Sequence, residues 1–425
     1  MIELDKIVEI LKNTDGVSDY EIFSKSNDER QLYYVGKNLE TNRAVKTEKI
    51  NVVVYADKDE KRGSSSFVVG VSDDEDTIKD KALDTVKRAL AAGNKWYPIT
   101  ENAENINSSA SEKTDLNETA LTIANAIFSQ DNREDGQLNA TEIFVGVTHN
   151  GFINSKGIAH HYDSMKAEFE TIPSWSGEEE VEVYNYTSLR ELDSEKISSG
   201  ISELLDCAKM RSDAVKADTL DIPKNIPIVI KSDVAAEIAM NIAGDANYSS
   251  HYQHINHFNV GDKIANEKFN LTLSGDGENK FGLGPIDSHG NILGEKKIIE
   301  NGKVCSLWGD NRFGYYMNEE VTGSFNRAVV TAEGDDSYKS EKHILVYTFS
   351  APQIDWELGY FGGEIRLATY FDGEKYIPIT GFSVSGNIFE SLSDVSFSTE
   401  QEVFMDARFS YSGPKYWVIP KMTVN

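Results

Sequence analysis

Three histidines form the most concentrated set of potential metal ligands in the sequence. His251, His254 and His257 follow one another at intervals of three residues. On a helix this spacing would bring the three imidazoles roughly onto one side, and imidazoles suit zinc, copper or nickel. The segment is polar, however, and it ends in a turn-like run at 259–262 without an obvious carboxylate ligand or an HExxH arrangement. It therefore predicts surface or interface histidines that hydrogen-bond locally, with a metal site as the less favoured interpretation.

The other reactive residue types give no recognisable reaction centre. His160 and His161 are adjacent, so a strand would point them to opposite faces and they could not chelate together. Cys207 and Cys305 are too few for a disulfide scaffold or a thiolate zinc cluster, and two reduced thiols fit a cytosolic protein. No Walker-type phosphate loop and no Gly-x-Ser-x-Gly nucleophile elbow occurs. The residue patterns alone identify no catalytic residue.

Length and charge restrict the classes of protein to which this chain can belong. Its 425 residues are enough for about two or three domains or subdomains. Lys and Arg total 42 and Asp and Glu total 70, so the formal net charge is −28. A surface of that sign repels nucleic-acid phosphates and anionic lipids, so we expect neither as a partner. Acidic residues stand where a signal peptide would be basic, and no apolar run approaches ~20 residues, which together predict a soluble, cytoplasmic protein.

Two segments of the N-terminal half contain the same order of predicted elements. The first begins with a helix whose apolar face includes Leu4 and Leu11, and it ends with a helix at 77–92. The second lies between helices at 115–129 and 194–215. Four strands are predicted within each segment: 20–23, 31–35, 50–55 and 65–71 in the first, and 141–148, 151–154, 161–171 and 181–186 in the second. The pair Asn150-Gly151 predicts a hairpin turn.

This repeated order indicates an internal duplication. Glu21-Ile22-Phe23 and Glu142-Ile143-Phe144 begin matching strands 121 residues apart. We therefore predict an N-terminal α+β domain at 1–218, composed of a helix–four strands–helix unit at 1–95 and a second such unit at 112–218. Two unrelated α+β segments are the alternative.

The sequence of the second half of the chain predicts mainly strands. A linker at 218–227 contains two prolines, and a strand at 226–230 and a helix at 233–243 follow it. Alternating runs separated by turn pairs then predict a β-rich C-terminal domain at 219–425. The predicted fold class of the whole chain is α+β.

Short motifs in both halves resemble the TldD/PmbA family. The C-terminal motifs are GPIDSHG at 284–290, IENGKV at 299–304, TGSFNR at 322–327, GYFGGEIR at 359–366 and IPITGFSVSGN at 377–387. The N-terminal motifs are RGSSS at 62–66 and NSKG at 154–157. Each motif is modest, but their order and spacing together cover nearly the whole chain.

The resemblance implies a protease system with two kinds of subunit. The TldD-like subunit carries zinc on a His-Glu-x-x-x-His helix together with a later cysteine, whereas the TldE/PmbA-like subunit lacks this site. The segment 234–245 stands at the position of that helix and contains no histidine. If Glu237 is matched to the family glutamate, Ala236 and Asn241 replace the two histidines, and Cys305 does not match the later cysteine. The resemblance therefore implies no catalytic residue and no cofactor in this chain, with zinc expected in a TldD-like partner.

The leading expectation is a non-catalytic subunit of a TldD/TldE-type cytosolic metalloprotease complex that handles peptide precursors or unfolded polypeptides. It would form a heterodimer with a TldD-like subunit, hold an extended peptide substrate, and pair with itself in isolation. A stand-alone metal-dependent peptidase that uses His251, His254 and His257 is one alternative. A non-proteolytic modulator of DNA gyrase or of toxin–antitoxin function, acting through protein contacts, is the other.

Overall fold

The fold was analysed in a computed structural model of the chain. It describes residues 2–101, 103–108, 114–177, 180–275, 281–406 and 408–425. The predicted α+β fold class is confirmed, because helices and mainly antiparallel sheets occupy separate layers. No helix in the described ranges is long and apolar enough to cross a membrane.

The N-terminal half forms a nine-stranded sheet with four helices. The helices are α1 (Leu4–Lys12), α2 (Glu75–Ala91), α3 (Leu116–Phe128) and α4 (Ser194–Ser212). The strands are β1 (Asp19–Val35), β2 (Asn38–Lys58), β3 (Lys61–Val69), β4 (Asn94–Lys95), β5 (Asn107–Ser108), β6 (Gly136–Asn154), β7 (Ala159–Ser176), β8 (Glu180–Glu182) and β9 (Asn185–Ser188). The sheet order is β4-β3-β2-β1-β6-β7-β5, with β8 and β9 also pairing with β7.

Side-chain caps explain where three of these helices begin. Asp74, Asp115 and Asp193 each accept hydrogen bonds from backbone N–H groups of the first turn. Each helix then buries an apolar stripe, such as Ile78 and Ala82 of α2, against the sheet. Caps and stripes together fix both the start and the orientation of the helix layer.

The central strand pair joins two segments with the same order of elements. β1 and β6 run antiparallel, and at the middle of their pairing Asn27 lies opposite Thr148, 121 positions later in the chain. The Thr148 hydroxyl donates to the Asn27 side chain at 2.7 Å. Outward from this pair, β2 and β3 extend the sheet on one side, and β7 and β9 extend it on the other. Two copies of one unit would produce this arrangement, although the first segment has three long strands and not the predicted four.

Several predicted strand limits are wrong because the strands are longer than their apolar cores. The segments predicted at 20–23 and 31–35 are the two ends of β1, and a polar stretch of the same strand connects them. The predicted Asn150-Gly151 turn lies inside β6, where these residues pair with Lys25 and Ser24 of β1. A Cβ at Gly151 would lie 2.4 Å from the Ser24 hydroxyl, so this glycine serves a close approach between strands and not a turn.

The described residues of the second half form two sheets and four α-helices that are short or buried. The helices are α5 (Ser232–Asp245), α6 (Tyr248–Tyr252), α7 (Asn311–Met317) and α8 (Ile388–Ser391). The strands are β10 (Val215–Lys216), β11 (Asn225–Lys231), β12 (Asn270–Ser274), β13 (Glu295–Glu300), β14 (Lys303–Val304), β15 (Arg327–Thr331), β16 (His343–Phe349), β17 (Gln353–Asp355), β18 (Tyr360–Phe371), β19 (Tyr376–Thr380), β20 (Phe382–Asn387), β21 (Ser396–Phe397), β22 (Gln401–Met405), β23 (Ser410–Pro414) and β24 (Tyr416–Val424).

These strands form one nine-stranded and one six-stranded sheet. The first has the order β10-β19-β18-β16-β11-β24-β20, with β17 and β21 at its margins, and the second has the order β14-β13-β12-β15-β23-β22. The helix predicted to reach Val215 ends at Ser212, and Val215 already belongs to β10, which pairs with β19. The chain therefore joins the C-terminal sheet just before the predicted linker begins.

A loop at 281–293 connects the C-terminal half to the N-terminal sheet. The His289 Nδ1 atom lies 3.2 Å from a carboxylate oxygen of Glu21, whose side chain is 1% exposed. Gly290 has φ +74°, and a Cβ there would lie 2.2 Å from the Phe152 ring. The carbonyl of Gly290 also contacts the His160 Nε2 atom at 3.0 Å. The loop thus reaches the sheet through one charge pair and one position where only glycine fits.

A buried polar network also connects the two halves. The Asn154 amide donates to the Thr100 carbonyl at 2.7 Å, and the Thr100 hydroxyl donates to Asn291 at 2.9 Å. The Asn291 amide in turn donates to Asn311 at 2.7 Å. Because buried polar groups are costly when unpaired, this connected set favours one relative placement of the two halves.

Candidate functional site

Helix α5 is almost completely buried, and only one narrow face reaches a cleft. It packs against strands of both C-terminal sheets, and Ala235, Ile238 and Ala239 on its buried sides have no exposed surface. Its apolar composition explains this burial, since a helix that is hydrophobic on most sides must lie inside the fold. The positions that remain partly exposed include Glu237 and Asn241, which occupy the same side of the helix because they are four residues apart.

The cleft beside this face is the candidate site. Its volume is about 350 Å³. Three elements form it: α5, the segment leading into β17, and the loop before β23. The lining residues are Glu237, Met240, Asn241, Pro352, Ile354, Arg408 and Phe409.

The guanidinium of Arg408 lies directly beside the carboxylate of Glu237 on α5. Its Nη2 atom donates to Glu237 Oε1 at 3.1 Å and to Asp406 Oδ2 at 3.0 Å. The other Asp406 oxygen accepts from the backbone N–H groups of Arg408 and Phe409, which holds the loop in place. Hydrogen bonds to Asp406 and then Glu237 raise the pKa of Arg408 further above its ordinary value. The guanidinium is therefore a permanent charge fixed at the cleft.

The residues of this cleft do not fit a zinc ion. Ala236 is fully buried and carries no donor atom. The Asn241 amide donates a hydrogen bond to the Glu237 backbone carbonyl at 2.8 Å, and a neutral amide is a poor zinc ligand. Glu237 itself is paired with a cation that would repel a metal ion. Within the described ranges, no group of three or more His, Cys, Asp or Glu residues is arranged to hold a metal.

The predicted histidine group does not share one helical side. Helix α6 ends at Tyr252, so only His251 lies on it, whereas His254 adopts a left-handed φ of +57° in the following turn. His257 lies further along, with Nδ1 3.0 Å from Asp245 and Nε2 3.1 Å from the Glu357 carbonyl. The expected helical geometry is therefore wrong, because the helix ends after five residues. The two hydrogen-bond partners of His257 lie 12 and 100 positions away in the sequence.

The remaining predicted chemical residues occupy structural positions. His160 is buried and His161 is exposed, which confirms that they point to opposite faces of β7. Burial lowers the pKa of His160, whose Nδ1 accepts from the Ile106 N–H at 3.0 Å. Cys207 and Cys305 are both free thiols, and burial raises the pKa of Cys207 to about 11. A thiol with that pKa is a poor nucleophile at neutral pH.

A strand at the margin of its sheet lies beside the candidate site, and β9 of the N-terminal sheet comes close to it. In the described part of the chain, β22 pairs only with β23, and it therefore forms the margin of the six-stranded sheet. Helix α5 packs next to it, and the loop that carries Arg408 directly follows it. Val403, in the middle of β22, is 54% exposed. Such an edge presents unpaired backbone groups to which an extended chain can add.

Sequence reasoning missed Arg408 as a site residue. Arg408 and Glu237 are 171 positions apart, and Arg408 is one of 42 basic residues in the chain. Its neighbours Asp406 and Phe409 form no motif that separates it from other loop residues. Only the three-dimensional arrangement brings it to α5.

The comparisons with known proteins agree with this architecture. Residues 223–425 match the sequence profile of the PmbA/TldA metallopeptidase C-terminal domain. The whole fold is similar to the crystal structure of TldE from Thermococcus kodakarensis, with 15% identity, 99% of each chain covered and a TM-score of 0.77. It is also similar to that of a proposed modulator of a DNA gyrase from Thermotoga maritima, with 14% identity, coverage of 99% of this chain and 98% of that one, and a TM-score of 0.78. No curated protein sequence matches.

A third crystal structure shares the fold. It is that of a proposed modulator of DNA gyrase from Bacteroides thetaiotaomicron, with 15% identity, coverage of 100% of this chain and 99% of that one, and a TM-score of 0.74. The α+β fold and the C-terminal sequence match define a metallopeptidase-related protein. Residues 223–425 belong by sequence to the PmbA/TldA metallopeptidase C-terminal domain family, and the resemblance to the TldD/PmbA family that the sequence motifs indicated is confirmed.

Proposed function

We propose that this chain is the metal-free partner subunit of a TldD/TldE-type metallopeptidase complex. The observation that carries the proposal is the 3.1 Å pair between Glu237 and Arg408, in which a guanidinium holds the carboxylate of the helix that bears zinc in TldD-like subunits. A hydrolytic zinc site uses about three protein ligands and a water molecule. At positions 236 and 241 this chain offers only a buried methyl group and an amide. The structural similarity to TldE supports the same assignment.

The partner in this proposal is a related subunit that carries zinc. The two chains form a cytoplasmic heterodimer, and its substrates are peptide precursors or unfolded polypeptides. This chain contributes surface to the complex and contributes no catalytic group. A subunit without a hydrolytic site is expected to act on catalysis by placing the substrate, since correct placement lowers the barrier without new chemistry.

The marginal strand β22 is the proposed place where an extended substrate is held. Backbone hydrogen bonds to a strand edge give affinity with little dependence on side-chain sequence, which suits unfolded chains. The neighbouring cleft at Glu237 and Arg408 then lies beside the added strand. Its paired charges can make polar contacts to a peptide without cleaving it.

A mixing experiment tests the subunit assignment. The purified chain is combined with a family subunit that carries the His-Glu-x-x-x-His helix, and cleavage of a labelled unfolded polypeptide is measured. We expect at least about fivefold faster cleavage than by the zinc subunit alone, within the usual range of coupling between linked sites, and no cleavage by this chain alone. Equal cleavage rates with and without this chain would contradict the assignment. Stoichiometric metal together with cleavage activity in this chain alone would contradict it as well.

A matched pair of valine variants tests the role of the β22 edge. Val403→Lys places a charge on the edge strand, which disfavours the addition of another strand. Val71→Lys makes the same change at a valine that is 77% exposed in the N-terminal half. We expect the first variant to reduce the stimulation and the second to leave it unchanged. If both behave alike, the substrate does not add to β22.

A second candidate function follows from two of the similar structures. Both are named as proposed modulators of DNA gyrase. The net charge of −28 makes direct DNA contact unfavourable, so such an effect would act through protein contacts. A pull-down that recovers gyrase and no family metallopeptidase would favour this function over the subunit role.

A further inference from the structure

A second cavity lies on the outer face of the nine-stranded C-terminal sheet, where β17, β18 and β20 run side by side. Its volume is about 430 Å³, which is within the range of small-ligand sites. Most of its lining residues belong to the sequence motifs at 359–366 and 377–387, which the proposed function leaves unexplained. We refer to this cavity as the β18 hollow. Its polar side chains include Ser350, Gln353, Tyr360, Glu364, Ser383 and Ser385.

A glycine in the middle of these residues explains why the sheet is hollow at this place. Gly362 pairs with Gln353 of β17 on one side and with Ser385 of β20 on the other, so the three residues share the outer face. A Cβ at Gly362 would lie 2.7 Å from the Tyr360 hydroxyl oxygen and 2.4 Å from the Val384 carbonyl oxygen. The missing side chain therefore leaves the floor bare and allows the tyrosine to lean over it.

The two ends of the hollow differ in chemistry. Tyr360 and Glu364 lie two positions before and after Gly362 on β18, and residues two apart on a strand share a face. The intervening Phe361 and Ile365 are 0% and 1% exposed, which shows that they point into the core. The hollow therefore has an aromatic ring at one end and a carboxylate at the other.

The carboxylate of Glu364 has no cation to balance it. Among the described residues that line the hollow, it is the one charged side chain, and it is exposed. Arg366 lies one row further along β18 and makes no ion pair with it in the described part of the chain. The hydroxyls of Ser350 and Ser383 likewise have no hydrogen-bond partner within the described ranges. A bare carboxylate beside uncommitted acceptors favours a cation that carries several donors.

We propose that the β18 hollow binds an alkyl guanidinium group, which is the chemistry of an arginine side chain. A guanidinium presents five N–H donors in one plane, so it can bond to Glu364 and to the neighbouring hydroxyls together. Its plane can also lie against the ring of Tyr360, which attracts a cation. An ammonium group has three donors and no such plane. The net charge of −28 attracts cations of either kind to the surface, and the hollow selects between them.

Ligand-observed NMR titrations of the full chain test the chemistry of the ligand. The probe is N-acetyl-arginine amide, and N-acetyl-citrulline amide is its neutral counterpart of nearly the same shape. We expect the citrulline compound to bind at least about tenfold more weakly, because hydrogen bonds to a charged group are the stronger ones. N-acetyl-lysine amide should bind more weakly than the arginine compound as well.

Two further ligands distinguish the possible sources of the guanidinium. The blocked peptide acetyl-Gly-Arg-Gly amide represents a polypeptide, and agmatine represents a free small molecule. Tighter binding of the peptide assigns the hollow to polypeptides, and tighter binding of agmatine assigns it to a free compound. Both results support a guanidinium site.

Three variants locate the binding in the hollow. Glu364→Gln should weaken binding of N-acetyl-arginine amide about tenfold, because it removes the charge and keeps the shape. Ser383→Leu lies opposite Glu364 and should block the hollow without changing any charge. Glu374→Gln makes the same charge change at an exposed glutamate beyond the far end of β18 and should leave the affinity unchanged. Circular dichroism spectra and melting temperatures establish that each variant is folded.

Several results would overturn the proposal. These are equal affinity for the arginine and citrulline compounds, equal or tighter binding of the lysine compound, and no binding of N-acetyl-arginine amide at millimolar concentration. Unchanged affinity in Glu364→Gln or Ser383→Leu would also overturn it, as would an equal loss in Glu374→Gln, which would indicate attraction by the general charge of the chain. The mixing experiment on the subunit role does not depend on these outcomes.

Discussion

Two charge pairs with different exposure have different roles in this molecule. Arg408 is 68% exposed where it meets Glu237, so water screens the pair and its contribution to stability is at most about 1 kcal/mol. Its importance is chemical, because under the proposed function this cation lies on the side of α5 where a TldD-like subunit is expected to hold zinc. Glu21 is 1% exposed where it meets His289, so this carboxylate cannot be hydrated when the pair breaks, although His289 itself is 36% exposed. The first pair defines the site, and the second connects the two halves.

The His289 pair should make stability depend on pH. Burial alone would lower the pKa of His289, but the hydrogen bond and charge of Glu21 outweigh it and raise the pKa to about 9. Because the pKa is raised in the folded state, the stabilisation is fully present below the unfolded value of 6.5 and is lost as the pH rises to about 9. His289→Gln should therefore lower the melting temperature by about 1 °C at pH 6, because a contribution on the order of 1 kcal/mol after screening is divided by the large unfolding entropy of a 425-residue chain, and it should not lower it at pH 10.

His161 provides the control for this experiment. It is exposed on β7, so His161→Gln should leave the pH profile of the melting temperature unchanged. Glu21→Gln should remove the same pH dependence as His289→Gln, because it removes the cause of the raised pKa. A profile for His289→Gln that runs parallel to the wild type from pH 6 to pH 10 would show that the pair does not couple the halves.

At the scale of elements, the close contact between α2 and β3 depends on one glycine. A Cβ at Gly63 would lie 1.7 Å from the backbone carbonyl oxygen of Ala89 in α2. Backbone cannot move aside as a side-chain tip can, so Gly63→Ala should cost about 3 kcal/mol or more, measured by urea unfolding. Gly63 belongs to the RGSSS motif, and this contact is a physical reason for a glycine there.

Gly200 is the matched control for the same substitution. It lies in the interior of α4, and a Cβ there meets nothing within 4 Å. Gly200→Ala should therefore stabilise the chain by about 0.5–1 kcal/mol through helix propensity and a less flexible unfolded state. If both glycine variants shift the unfolding midpoint in the same direction, the α2–β3 contact is not as close as described.

Elements with a strong local signal could be predicted from the sequence, and elements fixed by pairing could not. The acidic cap at Asp74 and the apolar stripe of α2 placed that helix to within a few residues. The polar centre of β1 contains no apolar alternation, yet it is a strand because β2 and β6 pair with it on both sides. Asn150-Gly151 has the composition of a turn, and the two neighbouring strands override that preference.

The candidate site was predictable only where it lies on one helix. The absence of histidine from α5 and the position of Glu237 could be taken from the sequence, because they are local features. Arg408 and the exposed edge of β22 depend on how distant strands come together, and no local pattern encodes that. The His251, His254 and His257 spacing suggested a helical face, but the tertiary structure ends the helix early.

At the scale of the whole molecule, the acidic surface should make stability depend on salt. A net charge of −28 repels itself in the folded state more than in the expanded unfolded chain. Raising NaCl from about 10 to about 100 mM shortens the screening length from about 30 to about 10 Å, so the melting temperature should rise. Near pH 4.7, where the net charge vanishes, the same change should have little effect. A melting temperature that falls with salt at neutral pH would indicate that attractive pairs dominate instead.

The contact between Glu21 and His289 also has a consequence for the synthesis of the chain. The two residues are separated by 268 positions. At about 5–20 residues per second, Glu21 is therefore synthesised roughly 13 to 54 s before His289. During that interval Glu21 has the Tyr55 hydroxyl of its own sheet as a hydrogen-bond donor and lacks the imidazole. The order of synthesis therefore allows the sheet to be complete before the loop that covers it emerges.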